Sequence, residues 1–232
     1  MNDGAFAAAL GLIVGLDPEF LRIVGLSLRV TLSAVAIAAA IGMPLGALLA
    51  MKRFRGRAVT VVTVNALMGL PPVVCGLVVY IALSRSGPLG ALGMLFTPGA
   101  MIAAQTILVL PIVIALTRQV VEELWGEYRD HLTSLGQTGL SAVPTLLFDG
   151  RYALAVALLA GLGRAMAEVG AVMIVGGNIA GYTRTMTTAI ALETSKGDLA
   201  LALGLGIVLL VLTFTINVFV YGASHVGRRY AG

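Results

Sequence analysis

The sequence predicts an all-α integral membrane protein with about five transmembrane helices, and three observations carry that reading. Apolar residues fill 59 % of the 232 positions and charged residues only 11 %, against about 25 % charged in an ordinary soluble domain. Five apolar runs are long enough to cross a bilayer as helix, which takes roughly 20 residues each. The remaining charge is gathered: Arg118, Glu122, Glu123, Glu127, Arg129, Asp130, His131, Asp149 and Arg151 share one stretch with apolar runs on both sides. Hydrocarbon cannot hold that stretch, so it faces water on one side of the membrane. A barrel is excluded because its strands alternate in polarity, whereas these runs are continuous.

Taken in order, residues 5–16 are apolar but too short to span. They read as a helix lying at the membrane interface, ended by Asp17-Pro18-Glu19, within an N-terminal segment 1–22. Met1-Asn2-Asp3 lacks the positive start of a signal peptide. The spans fall at 23–51, 58–83, 99–117, 152–175 and 199–221, in a transmembrane domain 23–222 followed by a tail 223–232. Pro44, Pro71-Pro72 and Pro111 lie inside these runs. Each removes a helical hydrogen bond, and the Pro71-Pro72 pair is the strongest candidate for a broken helix.

Orientation follows from the basic residues. Lys52, Arg53, Arg55 and Arg57 follow the first span, Arg118, Arg129 and Arg151 lie in the charged stretch, and Arg228 and Arg229 close the chain. Five spans put all three groups on one side. The positive-inside rule makes that side the cytoplasm, with the N-terminus outside.

Within the charged stretch, Leu124, Tyr128, Leu132 and Leu135 recur at helical spacing, so one face is apolar and the other charged. Gly136 is suited to end that helix. Ser141-Ala142-Val143 opens a second short segment, interrupted by Pro144. Helix, glycine turn and short helix make a knob that fits a groove on another protein.

Two further groups of polar residues stand out from the apolar background. Arg164 and Glu168 stand four apart on one helix, the fourth span, so they share a face and can pair. Charge at that depth belongs against the bundle interior or a water-filled cavity. Asn178, Thr183, Arg184, Thr185, Thr187 and Thr188 form a polar outer segment. Hydroxyl and backbone N–H donors hold a tetrahedral oxyanion weakly enough to release it, which makes these residues candidates for a translocation lining.

Several classes are disfavoured. No paired acids or His-Glu-x-x-His helix suggests an intramembrane enzyme, and no Gly-x-x-x-x-Gly-Lys-Ser/Thr loop is present to bind nucleotide. The two histidines lack metal-ligand spacing, so no metal is expected. No basic tract suggests nucleic acid. Cys75 is the single cysteine, which excludes an intrachain disulfide.

Asp130 and Gly136, six apart, resemble the cytoplasmic loop of permease subunits of ATP-binding-cassette (ABC) importers, with His131-Leu132 where that loop carries small residues. Residues 163–198 are similar to the tungstate-type permeases of the molybdate and tungstate group. The segments that carry this are Ala167-Glu168-Val169-Gly170-Ala171, Gly177-Asn178-Ile179 and Thr187-Thr188-Ala189-Ile190. The resemblance implies a type I importer fold in the prokaryotic plasma (inner) membrane and a homodimer. It also implies two cytoplasmic ATP-binding subunits that hold the ATP and magnesium, and an extracytoplasmic substrate-binding protein. This chain would then bind no cofactor and perform no covalent chemistry. Glu127, Arg129, Asp130, His131 and Gly136 would meet the ATPase. The cargo implied is tungstate or molybdate, with sulfate or another small oxyanion as the near alternative and an ion-coupled carrier as the more distant one.

Overall fold

The structure, a computed structural model, describes residues 10, 11, 14, 15, 17–137 and 139–230, with backbone alone for 223–230. Most of the expected interfacial helix at 5–16 lies outside the described residues. Among the described residues no strand occurs.

The first helix, α1, runs Pro18–Met51. Proline suits a first helical position because its missing N–H has no partner there anyway. The Asp17 carboxylate accepts the exposed N–H groups of Glu19 and Phe20, each at 2.9 Å. Pro44 sits inside α1 without ending it.

The second apolar run, expected as one span, is two helices, α2 (Arg57–Met68) and α3 (Pro72–Leu83). Gly69 starts the break and Pro71 stands extended at φ −61°, ψ 125°. A residue before proline is driven out of the helical region, and neither proline has an N–H to continue the ladder.

Helix α4 (Pro98–Ser134) is 37 residues long. It passes through Pro111 and continues without a break beyond the apolar run into the charged stretch. A 3₁₀ turn at Gly139–Ala142 leads into α5 (Val143–Asp149), then α6 (Arg151–Met166), α7 (Gly170–Gly176), α8 (Met186–Lys196) and α9 (Leu199–Tyr230). The fourth expected span, 152–175, is therefore interrupted at 167–169, and the helix of the fifth extends into the segment expected as a tail.

Among the described residues, α1, α4 and Leu199–Gly222 of α9 are long and apolar enough to cross a membrane, or up to five spans if each of two bent helix pairs counts as one. Leu210, Phe214 and Phe219 of α9 are each more than 70 % exposed. Exposure of that kind suits a lipid surface, where apolar side chains need no covering. The chain is an all-α, multi-pass membrane protein.

Two compact units form. The first combines residues 1–34, 71–105 and 163–216. Its core includes Phe20, Ile23, Met186, Ala189 and Leu205. Helices α3 and α7 pack closely in it, because Gly76 lets the backbones approach: a Cβ there would stand 2.7 Å from the Ala171 Cα. The second combines residues 35–70, 106–162 and 217–232. Its core gathers Ala47, Val121, Leu132, Ala142 and Leu146. Gly46 plays the same part in it, bringing α1 against the Ile114 carbonyl of α4.

Candidate functional site

The charged elbow belongs to the second unit. The end of α4 is closed by a Schellman turn: Gln137 N–H donates to the Leu132 carbonyl at 2.9 Å and Gly136 N–H to the Thr133 carbonyl at 3.0 Å. Such a turn needs one left-handed residue, and Gly136 supplies it at φ +78°. Leu132, Ala142 and Leu146 then seat the short helix α5 against α4, with Leu124 and Trp125 packed beside them. Helix, glycine turn and short helix thus stand as the sequence indicates, except that Pro144, expected to interrupt the short segment, lies in the first turn of α5, where a missing N–H costs no helical bond. Two members of the expected apolar face differ. Leu135 lies one residue beyond the end of α4 and is 65 % exposed. Tyr128 keeps the face but borders an open cleft with Glu123, Phe148 and Tyr152, and is 40 % exposed. The phenol of Tyr128 is pushed above its ordinary value, first by the Glu127 carboxylate beside it. It stays neutral at physiological pH.

Glu127, Arg129, Asp130, His131 and Gly136 are all exposed on this elbow. Its base carries a charge cluster that the sequence does not announce. Glu122 accepts from Arg118 at 2.5 Å and from Arg57, while Arg57 Nε also donates to the Leu49 carbonyl at 2.9 Å. The i, i+4 spacing of Arg118 and Glu122 is legible in the sequence; Arg57, 65 residues away, is not. Phe148 and Tyr152 flank Arg151, whose guanidinium carbon stands 4.3 Å and 4.6 Å from their ring centres.

In the first unit, Arg164 lies in the last turn of α6, and Glu168 lies beyond the end of that helix. The shared-face argument for pairing them therefore does not apply. Glu168 instead turns to the next helix: its Oε1 accepts the Ala171 N–H at 2.8 Å, and the residue is 4 % exposed. An acceptor there satisfies one of the N–H groups that a helix start leaves open.

The polar outer segment spends most of its donors on its own shape. Thr183 donates to the Gly176 carbonyl at 2.6 Å and accepts the Ile179 N–H at 2.9 Å. Thr188 accepts the Thr185 N–H at 3.0 Å. Asn178 stands at φ +49° and donates to the Thr188 carbonyl at 3.4 Å, its Oδ1 buried and unpartnered. Arg184 is largely buried, with Glu193 at 3.7 Å and Glu19 at 3.9 Å. Asn178, Thr183, Arg184 and Thr188 do not border a small polar chamber of this unit, whereas Thr185 and Thr187 do.

That chamber is lined by Ser27, Thr31, Gln105, Thr185 and Thr187, with Met166, Met186 and Leu209 among its apolar walls. Ser27 and Thr31 occupy one face of α1, a turn apart. Ser27 accepts the Met186 N–H at 2.7 Å, and Thr187 donates to the Glu168 carbonyl at 2.8 Å. Gln105 is 3 % exposed; its Nε2 donates to the Ala165 carbonyl at 3.1 Å and its Oε1 has no partner. An unmet buried acceptor costs about 1–3 kcal/mol. Ser27, Thr31 and Gln105 were not candidates from the sequence. Their one signal is polarity at positions where an apolar span needs none.

Long apolar helices, a helical elbow of exposed charge and a small polar pocket fit a membrane permease. No family model matches the chain. It is 43 % identical over 76 % of its length to a probable anion ABC transporter permease of Haloferax volcanii, covering 78 % of that protein. It is 42 % identical over 83 % of its length to the tungstate uptake system permease TupB of Peptoclostridium acidaminophilum, covering 85 % of it. The TupB of Campylobacter jejuni is 44 % identical over 59 % of this chain and 57 % of its own. This chain belongs to the ABC transporter permease family, in the branch that contains these proteins.

Proposed function

We propose that this chain is the membrane subunit of an ATP-driven importer of tungstate or a closely related tetrahedral oxyanion such as molybdate. The observation that carries the reading is the elbow: α4 passes unbroken from an apolar span to an exposed, charged, glycine-closed end. A rigid helix transmits displacement along its length. Glu127, Arg129, Asp130, His131 and Gly136 form its contact with a separate ATPase subunit, one on each protomer of a homodimer.

ATP and magnesium belong to those subunits. Their closure on nucleotide draws the two elbows together and opens the bundle outward to a binding protein. Hydrolysis reverses the movement and releases the anion to the cytoplasm. The basic residues support an orientation with the elbow and C-terminus inside and the N-terminus outside, in a prokaryotic plasma membrane. Helix α2, which buries none of its residues, supports a surface that meets lipid or the second protomer.

The test is co-purification. The tagged chain, drawn from its native membrane in mild detergent, retains a nucleotide-binding subunit, and Gly136→Trp loses it. Full retention by Gly136→Trp, or a wild-type chain that purifies alone yet transports anions, contradicts the proposal.

A further inference from the structure

We propose that Thr31 and Gln105, with the first turn of α8, form a neutral relay site for a partly hydrated tetrahedral oxyanion, and that these residues influence which oxyanion passes. The inference rests on the importer reading above and adds the place and chemistry of the contact.

Four features converge on the chamber. Its lining carries hydroxyls from Ser27, Thr31, Thr185 and Thr187 and no charged side chain. The N-terminal turn of α8, an 11-residue helix, borders it through Met186 and Thr187; the Met186 N–H is taken by Ser27, and what the helix start brings to the chamber is its partial positive charge. The opposite pole is also present, because α6 ends at Met166 beside the same space. A helix end repels an anion through its carbonyls, and Gln105 covers the Ala165 carbonyl with its amide nitrogen. The last feature is the orphan Gln105 Oε1, nearly buried and without a donor.

A bare dianion offers nothing to that oxygen. An oxyanion that keeps one water does: the water donates one proton to the anion and the other to Gln105 Oε1. Thr31 supplies a hydroxyl donor, and the start of α8 adds its partial positive charge. A neutral site holds a dianion loosely, as transit requires, where a pair of arginines would trap it. In this structure the chamber is too small for a tetrahedral oxyanion, so occupancy accompanies separation of the helices that wall it.

The experiment uses the whole assembly, permease with its ATPase and loaded binding protein, in vesicles. Uptake of labelled tungstate is measured with molybdate and sulfate as competitors. Thr31→Val keeps the shape and removes the hydroxyl, and Thr31→Ser restores it. Gln105→Glu places a negative charge in the chamber. The expected result is a rise in KM of about tenfold or more for Gln105→Glu and about threefold for Thr31→Val, both with altered competition by sulfate. Thr31→Ser stays near wild type, and ATP hydrolysis stimulated by the binding protein persists in all. If Gln105→Glu does not assemble, the Thr31 pair decides. Wild-type KM and competition order in Thr31→Val, or a loss of thermal stability with no change in KM, overturns the inference while leaving the importer reading intact. A wild-type assembly that takes up none of the three anions removes the importer reading itself.

Discussion

Gly136 stands at φ +78° with no atom within 4 Å of where a Cβ would lie. Crowding plays no part there, so a side chain costs only its left-handed backbone, about 1–2 kcal/mol. Gly136→Ala should lower the melting temperature of the detergent-solubilised protein by a few degrees. Gly136→Asn should lower it less, since asparagine enters that region more readily. Glu168 gives a second single-residue test. Glu168→Gln keeps an oxygen for the Ala171 N–H, whereas Glu168→Ala leaves that buried donor open and should cost about 0.5–2 kcal/mol. Thermal unfolding that ranks Gln below Ala would show that the carboxamide cannot replace the cap.

Among the elements, the contact of α3 with α7 depends on the absence of a side chain. Gly76→Leu drives carbon into the Ala171 backbone and should destabilise the protein by about 1–3 kcal/mol, read as reduced yield and a lower melting temperature. A variant as stable as wild type would mean the helices can separate freely. The apolar runs, the elbow and the break at Pro71-Pro72 were all legible from composition and periodicity. Pro44 and Pro111 show that proline alone does not stop a helix; the Gly69-to-Pro72 segment does, because two consecutive N–H groups are missing after a glycine. The interruption at 167–169 was not legible. Ala167 and Glu168 are good helix formers, and the chain leaves the helix where the Glu168 carboxylate is taken up by α7. The polar outer segment was legible as polar, but no sequence pattern separates a threonine that braces its own turn, such as Thr183, from one that borders a cavity, such as Thr187.

At the scale of the whole molecule the account is one of division of labour. In the proposed function apolar helices carry the path, the elbow receives mechanical work, and nucleotide chemistry is assigned to another chain. The orientation has a direct check: a cysteine introduced at Arg129, in a chain with Cys75 replaced by alanine, should resist an impermeant maleimide in intact cells and react in inside-out membranes. The central claim is tested most directly by tungstate uptake into vesicles holding the reconstituted complex with loaded binding protein. The account requires uptake that starts with ATP in the ATPase compartment, stops when hydrolysis is blocked, and is indifferent to ionophores that collapse proton and sodium gradients. Uptake that follows an imposed ion gradient and persists without ATP would contradict it.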